Sequence, residues 1–282
     1  MPGLVVVSPP TLDLIRVGGR VYTKPGGPAL YGGFGARLVG VGVVSVGPVG
    51  YLTLESARAE ALLGVSRGGY GTSSPGFVFS HEYESGYRRS TVLHRGPAMD
   101  PQRVIDVVDS ARPDMALLSP IYGEEWGLLA EALRQMVDCM ALDLQGYVRA
   151  GLGDRFLGVV RGRYTLLHAS DEDIGPGLLS RLHSNGYIVY TAGTGPIRVI
   201  YGRGSIDVTV GGPKRVVKDP TGAGDVFTAL ALYRFCSTWD IEEAVKYSVE
   251  KTPEVLEAVN TELSKILEHE KSHGGSIRAR PG

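Results

Sequence analysis

The 282 residues are enough for one large α/β domain or two small ones. Twenty-nine Lys and Arg against 30 Asp and Glu leave a net charge of −1, which argues against a generally basic nucleic-acid binder. Hydrophobic residues at 43% and charged residues at 21% exclude a broadly disordered chain, and no run of roughly 18 apolar residues predicts a membrane span.

The opening segment, Met1-Pro-Gly-Leu-Val-Val-Val7, lacks a basic stretch and a long apolar core, so no signal peptide is expected. Cys139 and Cys236 are too few for a zinc cluster or a disulfide framework. Each lies in an apolar run, which predicts buried thiols and makes a reducing cytoplasm the simplest location. Forty glycines without a collagen period point to tight turns or close backbone approaches to a ligand.

Predicted strands run over Leu4–Ser8, Val41–Val46, Met115–Ser119, Met140–Leu144, Tyr164–His168, Ile188–Thr191, Ile197–Tyr201 and Ile206–Val210. Helical patterns fall at Leu30–Val39, Leu54–Leu63, Pro101–Ala111, Glu124–Val137 and Gly177–Ser184. Several strands are apolar throughout, as expected where both faces of a sheet are covered. The alternation predicts a single α/β domain over 1–282, with a doubly wound, mostly parallel sheet and helices on both faces. Ligands bind such sheets beyond the carboxyl ends of the strands.

Two segments depart from this pattern. Residues 14–23 read as a short hairpin around Gly18-Gly19, and residues 77–94 as a longer one around Ser85-Gly86. Together they suit a small β lid that excludes water, with an ordinary edge extension or a dimer surface as the alternative. His81 and His94 face each other across the longer hairpin as a solvated pair. Toward the end, Pro253–Lys271 carries Val255, Val259, Leu263, Ile266 and Leu267 on one helical face, and 272–282 reads as a flexible tail.

The most informative string is Asp219-Pro-Thr-Gly-Ala-Gly-Asp225, which precedes an apolar helical run. A helix N-terminus presents unpaired N–H groups and partial positive charge, so the amides of Gly222, Ala223 and Gly224 form a candidate anion hole for a phosphoryl group. Asp225 at its mouth is the candidate catalytic base, taking a proton from an attacking hydroxyl. A lone Gly-X-Gly would be no more than a helix entry. No Walker-type phosphate loop is present.

With that string the chain resembles the PfkB-type carbohydrate kinases of ribokinase-like fold, whose C-terminal signature Asp219–Asp225 matches. The resemblance extends over nearly the whole chain. It implies ATP- and Mg2+-dependent phosphorylation of a small alcohol, with Asp225 as the base and Thr221 and Gly224 on the nucleotide side. It also implies that Asp13 binds substrate hydroxyls and that Gly26-Gly27 forms the acceptor-side turn. Tyr31 stands where the family has asparagine, so it either stacks on a substrate ring or fills a gap beside Gly32 and Gly33. Asp143-Leu-Gln-Gly-Tyr-Val-Arg149 resembles the family's Asp-X-Asn-X-Arg segment. Gln145 is there a substrate or supporting contact, and an Asp143–Arg149 surface pair is the alternative. Ser170 and Asp173 occupy the Asn-X-X-Glu positions, implying a nucleotide contact at Ser170 and a metal contact at Asp173 through water. A plain N-cap at Ser170 explains the same residues. Thr191 and Gly193 match the Thr-X-Gly turn near the nucleotide.

Tyr31, Ser119-Pro-Ile-Tyr-Gly-Glu124 and the segment from Asp143 look similar to the archaeal myo-inositol kinase branch. The expected partner is a small polyol or sugar, best met by myo-inositol, with neither nucleic acid nor membrane. A homodimer through the lid is implied by resemblance alone. A fructose- or ribose-type sugar kinase or a nucleoside kinase is the rival within the class. A catalytically silent sugar or nucleotide sensor is the rival outside it.

Overall fold

A computed structural model describes residues 3–84, 87–121, 126–149, 164–182, 185–193, 195–210, 217 and 219–273. In chain order the elements are β1 (Gly3–Val7), β2 (Thr11–Val17), β3 (Arg20–Gly26), a π-helical turn at Ala29–Gly33, α1 (Phe34–Leu38), β4 (Gly42–Val46), β5 (Pro48–Val49) and α2 (Leu54–Leu62). There follow β6 (Ser66–Arg67), β7 (Tyr70–Gly71), β8 (Phe77–Glu84), β9 (Tyr87–His94), α3 (Pro101–Ala111), β10 (Met115–Leu118), α4 (Trp126–Leu133), β11 (Cys139–Asp143) and α5 (Gln145–Arg149). The last are β12 (Leu166–Ser170), α6 (Pro176–Leu179), β13 (Tyr187–Thr191), β14 (Ile197–Tyr201), β15 (Gly204–Val208), α7 (Ala223–Thr238) and α8 (Ile241–His273).

Nine strands form one sheet in the order β15-β14-β13-β12-β11-β10-β1-β4-β6. Strands β13 to β6 of that order pair in parallel, and β14 is antiparallel to both of its neighbours. The apolar strands have their physical reason here. Alternate residues of β1 enter different cores: Leu4 and Val6 join α7 and α8 on one face, while Val5 and Val7 join α3 and α4 on the other. The doubly wound α/β expectation holds.

The hairpin segments join in a separate four-stranded sheet, β3-β2-β8-β9, with β2 and β8 parallel. The turn between β2 and β3 uses Gly18 and Gly19 at φ +54° and +74°, a region open to glycine. β2 begins at Thr11, so Asp13 lies inside a strand. The tip at 85–86 lies outside the described residues, as do Ser119–Glu124 beyond Ile121 and the tail from 274 onward.

Helix α7 is buried on nearly every side, through Val226, Phe227, Thr228, Ala229, Leu230, Ala231 and Leu232, as expected for a helix inside the core rather than on its surface. Helix α8 corrects the expected start at Pro253: it begins at Ile241 and passes through the proline. Ala244 and Val245 before the proline, and Leu256 and Val259 after it, are all fully covered. Their common packing against α7 outweighs the hydrogen bond that proline cannot donate.

The cysteines correct a second expectation. Cys139 at the start of β11 and Cys236 in the last turn of α7 are joined as a disulfide, with Cα atoms 5.9 Å apart. That separation suits the bond. Free thiols therefore supply no argument for a reducing compartment. Away from the cleft, Glu60 on α2 is wholly buried, accepting hydrogen bonds from Ser45 and Arg67. Burial pushes its carboxyl up to about 7, against the lowering influence of Arg67 and Ser45.

Candidate active site

The carboxyl ends of β1, β10, β11, β12 and β13 open into one cleft of about 1480 Å³, which the β2–β8 sheet and α8 also line. That is room for two small substrates side by side. Its centre is the N-terminus of α7, where Gly222 has φ +82°. A Cβ at Gly222 would run into the Tyr31 ring, so the position is closed to a side chain on two grounds.

The three-amide anion hole requires one correction. The Ala223 amide donates to Pro220 O at 3.0 Å, because Pro220–Ala223 closes a turn before the helix starts. The amides of Gly222 and Gly224, and that of Asp225, have no acceptor among the described residues. The amides of Gly222 and Gly224 are thus open to an anion, and that of Ala223 is not. Behind the cradle, Asp219 Oδ1 accepts from the Thr221 amide at 3.0 Å, and its Oδ2 pairs with Lys24 at 2.6 Å. Burial is the largest single influence and opposes the Asp219 charge, but the Lys24 hydrogen bond, the Lys24 charge and the Thr221 hydrogen bonds together outweigh it and hold the carboxyl below its usual range. Asn260 of α8 donates to Asp219 O at 3.1 Å and accepts from Lys24 at 3.2 Å, tying the signature to β3 and α8.

Asp225 is 8% exposed and lines the cleft. Its Oδ1 accepts from Gln145 Nε2 at 2.6 Å. Burial, reinforced by the Asp143 carboxylate, raises its pKa to about 7; Arg149 and the Gln145 hydrogen bond pull the other way. A carboxyl in that range is suited to exchange protons at neutral pH. Its backbone carbonyl sits where a side chain on Gly32 would go.

Asp143, 2% exposed, organises this end of the site. It accepts from the Gln145 amide at 3.0 Å, from Gln145 Nε2 at 3.3 Å and from Thr228 Oγ1 at 3.4 Å. The expected alternative of a surface Asp143–Arg149 pair does not hold, since Arg149 faces Asp173 instead, at 3.6 Å. Asp173 Oδ2 accepts from Ser170 Oγ at 2.7 Å, so both oxygens of the metal candidate are engaged. Among the described residues no three His, Cys, Asp or Glu side chains gather as a metal cage. Asp173 thus belongs to no such cage, and its two oxygens face Arg149 and Ser170.

At the other end, Asp13 is 7% exposed, and its Oδ1 accepts from Thr11 Oγ1 at 3.0 Å. Gly26 leaves the space that the Asp13 carboxylate occupies, and Gly27 takes φ +116° against Pro9 and Pro10. Tyr31 is 1% exposed, its hydroxyl reaching Pro25 O at 3.5 Å and Lys24 lying 5.3 Å from the ring centroid. Its ring fills the space beneath Gly222. Gln145, Ser170, Thr191, Gly193 and Thr221 all line the same cleft.

Residues 173–262 match the family described as pfkB family carbohydrate kinase. No curated protein matches the chain by sequence. Over 89% of this chain and 90% of the other, the fold is similar to an uncharacterized sugar kinase from Pyrococcus horikoshii, with TM-score 0.73 and 16% identity. It is similar to adenosine kinase from Sinorhizobium meliloti with TM-score 0.71 and 16% identity, over 92% and 99% of the two chains. A pyrophosphate-dependent kinase in the ribokinase family, solved with a pyrophosphate analog and myo-inositol, gives 0.68 at 16%, over 91% and 95%.

The match over residues 173–262 and the shared fold make the chain similar to the ribokinase-like sugar kinases. Two further histidines, His81 and His168, line the cleft. His168 on β12 places Nδ1 3.4 Å from Asp143 Oδ2 and Nε2 3.2 Å from Thr191 Oγ1, so it bridges two strand ends at the cleft. His81 corrects the expected solvated pair: it is 4% exposed, opposite Ser90 in the sheet, while His94 lies opposite Val78. No local pattern announces either residue, because their partners come from other elements.

Proposed function

We propose that the protein transfers the γ-phosphoryl group of ATP to a hydroxyl of a small polyol or carbohydrate, with myo-inositol as the foremost acceptor. One observation carries the reading. A buried carboxyl with raised pKa stands beside amides at a helix N-terminus that have no acceptor among the described residues, in a cleft that also holds Asp13. Asp225 accepts the proton of the acceptor hydroxyl as its oxygen attacks the γ-phosphorus, and the bond to the ADP oxygen breaks. The amides of Gly222 and Gly224 face the charge on the transferring group. Gln145 holds Asp225, and Asp143 holds Gln145. Thr221 and Ser170 border the donor path; Thr191 and Gly193 form the turn beside it.

Asp173 is assigned to hold Arg149 toward the phosphates, not to bind a metal. ATP is assigned to the part of the cleft lined by Val208, Val217, Phe227, Val249 and Pro253, apolar side chains against which a nucleobase can pack, with Glu250, Thr252 and Glu254 also in the lining. Asp13 and Gly27 face the acceptor half, where a carboxylate accepts hydrogen bonds from sugar or inositol hydroxyls. The β2–β8 sheet above serves as the lid. No helix among the described residues is long and apolar enough to cross a membrane.

The test is ADP release with ATP and a panel of myo-inositol, fructose, ribose and adenosine. Turnover with myo-inositol above all the others supports the reading. Turnover with adenosine alone replaces it with a nucleoside kinase, and nucleotide binding without turnover on any acceptor replaces it with the silent sensor.

A further inference from the structure

His81 stands on β8 beside Asp13 on β2: the strands run in parallel register, with Asp13 opposite Phe79 and Ile15 opposite His81. The imidazole lines the cleft and is almost fully buried. Its Nδ1 is 2.8 Å from Ser90 Oγ on β9, and its Nε2 is 3.7 Å from Asp13 Oδ2. The other Asp13 oxygen is already engaged by Thr11. The Phe79 ring lies within 9° of parallel to the imidazole, with ring centroids 6.2 Å apart.

A separation of 3.7 Å is too long for a hydrogen bond between Nε2 and Oδ2. An alcohol hydroxyl is both donor and acceptor. An ionised Asp13 only accepts. When the Ser90 hydroxyl donates to Nδ1, the neutral imidazole carries its proton on Nε2 and donates there. The two atoms together then match one hydroxyl: its O–H donates to Asp13, and its oxygen accepts from His81. A carboxylate alone would hold an amine as readily.

We propose that His81 is a specificity-determining residue of the acceptor site, reading with Asp13 one non-reacting hydroxyl of the guest. Ser90 is the positioning residue that sets the tautomer. The inference rests on the polyol or carbohydrate reading given above, and it adds the group that discriminates hydroxyls from other donors.

The experiment compares the wild-type chain with His81→Phe, His81→Gln and Ser90→Ala, using ATP, the preferred acceptor and its monodeoxy analogues. His81→Phe keeps a flat ring against Phe79 and removes the donor. It should raise KM for the parent acceptor by roughly tenfold or more, with KM for ATP within about twofold. His81→Gln, with an amide donor, should recover part of that loss. For the one deoxy analogue lacking the read hydroxyl, wild type and His81→Phe should have equal kcat/KM. An unchanged acceptor KM in His81→Phe, or an equal rise for the parent and every deoxy analogue, overturns the inference. Should His81→Phe fail to fold by its melting curve, Ser90→Ala decides: a rise of about threefold in acceptor KM supports the proposal and no rise counts against it. A wild-type chain that phosphorylates no acceptor overturns the polyol reading and this inference together. An active wild type with an indifferent His81→Phe overturns this inference alone.

Discussion

Asp225→Asn separates the chemical role of the carboxyl from its structural role. The variant keeps the shape, and the Gln145 amide that donates to Oδ1 at 2.6 Å still finds an oxygen. It lacks a proton acceptor, so turnover should fall by roughly 10² to 10⁴ while ATP affinity changes little. Stability should move the other way. Burial and Asp143 raise the carboxyl from 3.8 to about 7. A group whose folded pKa lies above its unfolded value gives its full stability contribution below the unfolded value, and loses it as pH rises through the folded one. The wild type therefore weakens between about pH 4 and about pH 7 relative to the asparagine variant. About three pKa units correspond to roughly 4 kcal/mol, of which roughly 3 kcal/mol falls between pH 5 and pH 8. Urea unfolding of both proteins at those two pH values, with turnover measured in parallel, gives the answer. Turnover within about threefold of wild type, or a stability gap that does not widen with pH, refutes the reasoning.

Further perturbations probe the frame around the base. Gly222→Ala should destabilise by roughly 1–3 kcal/mol from left-handed strain alone, with more from the Tyr31 clash, and should sharply reduce turnover; denaturation and ADP release check both effects. Reducing the Cys139–Cys236 bond, or replacing both cysteines with alanine, opens a link across 97 residues. In the chain-entropy description that costs on the order of 4–5 kcal/mol, visible as a lower midpoint in urea with dithiothreitol than without. Arg67→Met leaves Glu60 buried without its partner and should cost on the order of 3–5 kcal/mol at pH 8. The cost should shrink below about pH 7, where Glu60 takes up a proton, so unfolding at two pH values distinguishes a charge effect from lost packing.

How much of this site could be read from the sequence follows from how local each feature is. Asp219–Asp225 is legible because turn, glycines and helix entry are consecutive; even there, the single hydrogen bond from Ala223 to Pro220 depends on how the turn closes. The doubly wound sheet is legible because fully apolar strands have few alternatives. Tyr31 is visible as a departure from a family pattern, but only its position under Gly222, some 190 residues later, gives it a role. His81, His168 and the disulfide were not legible, since each depends on a partner from another element. The start of α8 was missed because Pro253 marks a helix boundary locally, whereas the face shared with α7 carries the helix past it.

The most direct test of the account is a complex of the kinase with ADP, aluminium fluoride and its preferred acceptor. The account predicts a fluoride group at the Gly222 and Gly224 amides, in line between ADP and an acceptor oxygen that lies within hydrogen-bond reach of Asp225. A fluoride group bound elsewhere, or an acceptor oxygen with no contact to Asp225, would contradict it.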